Sequence, residues 1–218
     1  MNNIKYGLNS NVSTLKTVLL KNPQAAFKSQ KTIDLQWQDL NFIDKPDFKK
    51  SVTQYENFID ILNDNNVEIL YIPEDEITSL DSIYTHDPIF MTPNGAVIGN
   101  MGKTQRKPET IMMKNYLNEI GVPILGEIIN DATLEGGDVI WIDEKTVAAG
   151  LTYRTNNKGI DQLRKILSTI SIEVISVDLP HWNGPVDVLH LMSLISPLNE
   201  NLFLIYKKLL PIGLLKLL

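Results

Sequence analysis

Residues 88–99 read PIFMTPNGAVIG, residues 139–150 read VIWIDEKTVAAG, and the two stretches align without a gap. Each carries apolar residues on both sides of a turn signal, Asn94-Gly95 in the first and Asp143-Glu144-Lys145 in the second, which is the pattern of a β-hairpin. An acid stands immediately ahead of each, Asp87 and Asp138, 51 residues apart. Beyond each hairpin the apolar period changes. Met113, Tyr116, Leu117 and Ile120 fall at steps of three and four, as do Ile160, Leu163, Ile166, Leu167 and Ile170, so helices are predicted over 109–120 and 159–170. A short apolar strand follows each helix, Val122–Leu125 and Ile172–Ile175. Upstream, Phe48, Val52, Tyr55, Ile59 and Leu62 predict a helix over 47–63, followed by a strand at Val67–Leu70. A further hairpin is predicted from His190 through LMSLIS, turning over Pro197–Asn201 and returning as LFLIY, with no helix after it.

The repeating unit is therefore strand–strand–helix–strand, recurring about every fifty residues. One hairpin and one helix cannot bury their apolar faces alone, so such units pack side by side. Helices outside and hairpins converging on a centre give an α/β propeller. An open α/β sheet with chance similarity between segments is the competing arrangement, and the recurrence of hairpin, helix and strand in one order favours the propeller. No low-complexity linker interrupts residues 1–218, which read as a single domain.

The 218 residues carry a net charge of −6 and are 43% hydrophobic and 21% charged, values of a folded chain rather than a disordered one. The charge argues against a nucleic-acid partner, because phosphate binding needs clustered Lys and Arg. No cysteine is present, which excludes disulfides, thiolate metal sites and a cysteine nucleophile from these residues. The opening MNNIKYGLNSN has no signal-peptide run, and no stretch of about 18 apolar residues occurs, so a cytoplasmic protein without a membrane partner is expected. Arg is scarce: Arg106 and Arg154 each follow a hairpin, and Arg164 lies on the polar face of the third helix, where solvation explains it.

Polar residues gather at the hairpin ends, which would meet at a propeller centre. Asp81 and Asp87 flank the first, with His86 beside the latter; Leu134-Glu135-Gly136-Gly137-Asp138 opens the second; Leu189-His190-Leu191 opens the third. Adjacent glycines let the backbone approach a ligand and an acid project inward. An imidazole and a carboxylate brought together from successive units make an acid/base pair. Each residue also has a plainer reading: Asp87 before Pro88 as a turn residue, Glu135 as a solvated loop acid, His190 as a core histidine, Arg106 and Arg154 as surface residues. Together, acids for a cation and arginines for a carboxylate suggest a zwitterionic ligand with a cationic end, since both pairings use bidentate, charge-assisted hydrogen bonds. No His or Asp cluster has convincing metal-ligand spacing, so no metal is expected.

These segments resemble the pentein superfamily of guanidino-group-modifying enzymes, and within it the dimethylarginine dimethylaminohydrolase, amidinotransferase and arginine deiminase branch. The resemblance rests on Asp81-x5-Asp87-Pro88, Arg106 in KTQRKPE, LEGGDV at 134–139, GLTYRTNNKG at 150–159 and LHLMS at 189–193, in family order across about residues 12–212. It implies a five-bladed ββαβ propeller. It also implies chemistry in which a cysteine thiolate attacks the guanidinium carbon, the amine leaves with a proton from a histidine, and water then hydrolyses the covalent thiouronium. By resemblance His190 is that acid/base, Glu135 binds and orients the guanidinium, Asp87 grips the same cation, Asp81 assists at the substrate amine, and Arg106 and Arg154 hold the carboxylate. The implied partner is a small guanidino compound, arginine or a methylarginine, and no cofactor is called for.

The departure lies in the tail LLPIGLLKLL, six leucines in ten residues, where the family continues to its cysteine. Residues 213–218 read as unlike the family, and the propeller is expected to be incomplete, its last unit missing. Two function classes follow. One is a truncated hydrolase or amidinotransferase relative, inactive by itself; the other is a non-catalytic protein that binds arginine-like ligands. An uncovered strand edge also makes self-association an expectation.

Overall fold

The computed structural model describes residues 6–185, 187 and 189–218; residues 1–5, read above for a leader, lie outside them. The first unit is β1 (Thr17–Leu20), short helices α1 (Pro23–Ala26) and α2 (Gln30–Gln36), α3 (Phe48–Asp64) and β2 (Glu68–Tyr71), with β1 and β2 paired in parallel. The second is β3 (Ile89–Thr92), β4 (Gly95–Ile98), α4 (Lys107–Glu119) and β5 (Ile124–Glu127). The third is β6 (Val139–Asp143), β7 (Thr146–Leu151), α5 (Asn157–Ser168) and β8 (Glu173–Asp178). The fourth begins with the hairpin β9 (Ile195–Asn199) and β10 (Leu202–Ile205), and α6 (Ile212–Leu217) follows. In both complete units the hairpin is antiparallel and its second strand pairs in parallel with the strand after the helix, giving the orders β3-β4-β5 and β6-β7-β8.

Local chemistry sets these boundaries. Asp47 and Asn156 cap α3 and α5 by accepting the Lys50 and Gly159 amides, satisfying donors that a helix start leaves free. Ile160, Leu163 and Leu167 form the buried stripe of α5, which packs against β6–β8 and also against Phe90 and Val97 of the preceding sheet. Trp141 of β6 stacks on Phe90 of β3, with ring centroids 5.4 Å apart. Met112, Met113 and Leu117 of α4 pack likewise between Ile72, just past β2, and the β3–β4 hairpin. Each of these two helices thus fills the wedge between its own sheet and the previous unit, as a propeller of side-by-side blades requires.

Three details depart from the sequence reading. Gly95 is not a turn residue but the first residue of β4, paired with Thr92; a Cβ there would lie 2.3 Å from the Pro123 carbonyl oxygen, so glycine is required by the approach of the next segment. The segment after His190 opens as a 3₁₀ turn at Leu191–Ser193 rather than a strand, because the Leu191 amide is captured by Asp138 instead of by a sheet partner. A helix does follow the third hairpin. Pro211 precedes α6, and Leu210 and Leu214, four residues apart, bury themselves against Ile140, Ala148, Leu191 and Ile195. Leu214→Ala is therefore expected to lower stability by about 2–5 kcal/mol, the usual cost of a buried Leu truncation, measured by urea unfolding. A change near zero would show α6 to be undocked.

Among the described residues β10 is paired only with β9, and Leu202 and Leu204 on it are exposed. No helix of the described residues is long and apolar enough to cross a membrane.

Candidate active site

The hairpin starts do converge. The Gly136 amide donates to the Asp87 carbonyl at 2.7 Å and the Gly137 amide to Asp87 Oδ1 at 3.1 Å, which locks the second blade to the third. A Cβ on Gly137 would stand 2.5 Å from His190 Nδ1 and 2.8 Å from Asp87 Oδ1, and one on Gly136 would stand 2.3 Å from the His86 carbonyl oxygen. The paired glycines are the condition for packing the histidine and both acids together.

Glu135 is fully buried and every oxygen is used. Oε1 accepts the Gly102 amide at 3.0 Å, the Lys103 amide at 3.1 Å and Arg154 Nη1 at 3.4 Å, while Oε2 meets His190 Nε2 at 2.9 Å. Burial alone would raise this carboxyl, but the His190 hydrogen bond, the Arg154 charge and the Lys103 amide overcome it and hold it at about 2. The reverse holds for His190. Burial would strip its proton, yet the Glu135 hydrogen bond and the charges of Asp138 and Asp87 keep its pKa above the usual imidazole value. Asp87 Oδ1 lies 3.9 Å from His190 Nδ1. An imidazolium braced between two carboxylates is a proton donor held in place.

Asp87, Glu135, His190 and Arg154 are thus brought together; Arg106 joins them through Asp87 with its donors taken up by protein partners, and Asp81 is paired with Lys103. Arg106 is buried, with Nε and Nη2 on Glu109 at 3.0 and 2.8 Å, Nη1 on Asp87 Oδ2 at 2.6 Å and Nη2 also on the Tyr84 carbonyl at 3.1 Å. A ligand carboxylate at Arg106 would have to displace one of these partners. Asp81 pairs with Lys103 Nζ at 2.7 Å, and the same ammonium donates to the Leu40 carbonyl at 2.6 Å. Arg154 differs: its loop, with Thr152, Tyr153 and His181, lines a cavity of 290 Å³. Arg164 is exposed and paired with Asp161, and His86 Nε2 lies 3.1 Å from the Gly136 carbonyl oxygen, a contact that fits a structural role.

Sequence reasoning did not single out Lys103 or Glu109. Their signal was weak: each is one more charge beside the Arg106 motif, and only the fold turns it inward. Ligand atoms of Asp87, Glu135 and His190 lie within 4.8 Å of one another, a spacing that a cation could use. The Arg106 and Arg154 guanidiniums against two of the three make a dication electrostatically disfavoured there.

A family model described as arginine deiminase matches residues 79–215, reaching into the tail set apart above at 213–218. A dimethylarginine dimethylaminohydrolase of Streptomyces coelicolor is 28% identical over 158 residues, covering 72% of this chain and 57% of that protein. An arginine deiminase of Lactococcus lactis is 27% identical over 134 residues, covering 58% of this chain and 32% of its own length. The chain spans 57–59% of the length of the two dimethylarginine dimethylaminohydrolases it matches. Among solved structures, a cysteine-to-serine mutant of the Pseudomonas aeruginosa dimethylarginine dimethylaminohydrolase, complexed with citrulline, superposes with a TM-score of 0.71 at 25% identity, over 88% of this chain and 69% of that one. The successive ββαβ blades are those of the pentein superfamily, and the match over 79–215 carries the Asp87, LEGGDV, Arg154 and His190 segments together; the chain belongs to the arginine deiminase family.

Proposed function

We propose that this chain binds the guanidino group of arginine or a methylarginine between Asp87 and Glu135, with His190 as the acid/base and Arg154 on the carboxylate end. The observation that carries the reading is the buried His190–Glu135 pair at 2.9 Å with Asp87 beside it, and with Arg154, which also lines the adjoining cavity, paired to Glu135 at 3.4 Å. Glu135 Oε2 and the two Asp87 oxygens each have a single hydrogen-bond partner and so a lone pair left for a guanidinium N–H, and a protonated imidazole suits departure of an amine. The chemistry is that of a guanidino hydrolase or amidinotransferase. A thiolate would attack the guanidinium carbon, the C–N bond would break as His190 gives its proton to the amine, and water deprotonated by His190 would then displace the sulfur.

None of the 218 residues is a cysteine, so this chain supplies the binding and acid/base half of that chemistry and does not turn over alone. The retained Asp81, Asp87, Glu135, Arg106 and Arg154 also suit the second reading, a non-catalytic receptor for arginine-like ligands. A cytoplasmic location, a small-molecule rather than nucleic-acid partner, and self-association through the open β10 edge complete the proposal.

Calorimetric titration with arginine, methylarginines and agmatine tests it. Heat of binding is expected for arginine or a methylarginine, and no heat with folded protein would overturn the reading. Arg154→Ala is expected to weaken arginine about 10- to 100-fold, the worth of a charged hydrogen bond, while agmatine, which has no carboxylate, changes little. Citrulline formation by the chain above a His190→Ala control would overturn its inactivity.

A further inference from the structure

Asp138, the last residue of LEGGDV, is fully buried and has been given no part in binding or proton transfer. Its carboxylate nevertheless ties together the loops that carry three of the site residues. Oδ1 accepts the amide of Leu191, the residue after His190, at 3.0 Å. Oδ2 accepts the Thr152 hydroxyl at 2.8 Å, and the Thr152 oxygen in turn accepts the amides of Arg154 at 2.9 Å and Thr155 at 3.0 Å. Thr155, whose amide the Thr152 oxygen holds, in turn accepts the Glu135 amide on its hydroxyl at 3.1 Å. One carboxyl thus fixes the backbone beside His190 directly, that at Arg154 through Thr152, and that at Glu135 through Thr152 and then Thr155. The space around it is closed: a Cβ on Gly150 would come within 3.2 Å of Oδ1.

A buried carboxyl is costly, and a plain turn could be capped by a neutral side chain. We propose that Asp138 is the positioning residue of the site, holding His190 against Glu135 and the Arg154 loop against both. The proposal rests on the guanidino-binding reading for its consequence but not for its geometry. Asn can keep the Leu191 contact through its carbonyl oxygen but not the Thr152 one, because the Thr152 oxygen already accepts two amides and its O–H needs an acceptor, which an NH₂ is not; Ala can keep neither. The charge matters separately. His190 faces Glu135 and Asp87, with Asp138 behind it and Arg154 and Arg106 beyond the two acids, so removing the Asp138 charge removes one of three negative neighbours.

The test uses the full chain without ligand and then with arginine. Leu191 amide exchange and the His190 titration are followed by NMR, and arginine affinity by calorimetry. Asp138→Ala is expected to speed Leu191 exchange at least tenfold and to weaken arginine more than tenfold. Asp138→Asn is expected to restore the Leu191 protection and only part of the arginine affinity, while lowering the His190 midpoint by about 1 in pH, the low end of the effect of a neighbouring opposite charge. Leu191 exchange as fast in Asp138→Asn as in Asp138→Ala, or an unmoved His190 midpoint in Asp138→Asn, overturns the proposal. If Asp138→Ala fails to fold, Thr152→Val decides: it is expected to weaken arginine about three- to tenfold and agmatine less, and unchanged arginine affinity overturns the proposal. Should the unaltered chain bind no guanidino compound, the function proposed above fails, while Leu191 exchange and the His190 midpoint still decide the role of Asp138.

Discussion

Joined to a family-type helix and strand carrying the cysteine, the chain is expected to hydrolyse a guanidino substrate, and His190→Ala in that fusion to lower kcat by about 10²–10⁴. The expectation follows from what is already assembled. The histidine is held at 2.9 Å from an ionised Glu135 and kept protonated, ready to give its proton to a departing amine. A thiolate placed near a bound guanidinium would be favoured by that cation, which helps the cysteine ionise. Glu135→Gln in the fusion should raise KM as well as lower kcat, because the acid both holds the substrate and braces the histidine. Steady-state kinetics on citrulline release check this, and normal turnover without His190 would overturn the acid/base assignment.

The parts of the fold that were legible in sequence are those governed by local period. The two gap-free hairpins and the helices after them became β3–β4–α4 and β6–β7–α5, with boundaries displaced by only a few residues. What the pattern could not show were contacts made by distant backbone. Leu191–Ser193 looks like strand, yet Asp138, 53 residues away, takes the Leu191 amide and turns the chain. LLPIGLLKLL looked like a foreign tail because neither a closing helix or strand nor a cysteine was legible in it. Leu210 and Leu214 become meaningful only once the wedge lined by Ile140 and Leu191 exists to receive them. The site divides the same way. That glycines at 136 and 137 would let an acid and an imidazole approach was readable from the sequence. That Arg106 would be saturated by Glu109, Asp87 and a carbonyl was not, since an arginine in a loop looks the same whether its guanidinium turns outward or inward.

Glu135→Gln in the chain by itself is expected to cost about 3 kcal/mol of folding stability near pH 5. A carboxyl held at about 2 in the folded state, against an ordinary 4.5, contributes about that much once both states are ionised. The agreement with the usual 3–5 kcal/mol cost of breaking a buried ion pair is a physical one. Gln leaves the His190 imidazolium without its carboxylate and gives the Gly102 and Lys103 amides a weaker acceptor. The sign of the pH dependence follows from the direction of each shift. Glu135 is depressed, so its contribution is complete above 4.5 and is lost as pH falls from 4.5 through 2. His190 is raised, so its contribution is complete below 6.5 and is lost as pH rises through its folded value. Asp138 works against both: held at about 6 by burial, it costs stability progressively as pH rises from 3.8 to 6. Urea unfolding of the two proteins at pH 3, 5 and 8 checks the pattern. The gap between them should be wide near 5, shrink once pH passes the folded midpoint of His190 and the imidazole gives up its charge, and be narrowest at 3 where the carboxyl in the unfolded chain has taken up its proton. A gap that widens on going from pH 5 to 3 would show that Glu135 is not an ionised partner of His190.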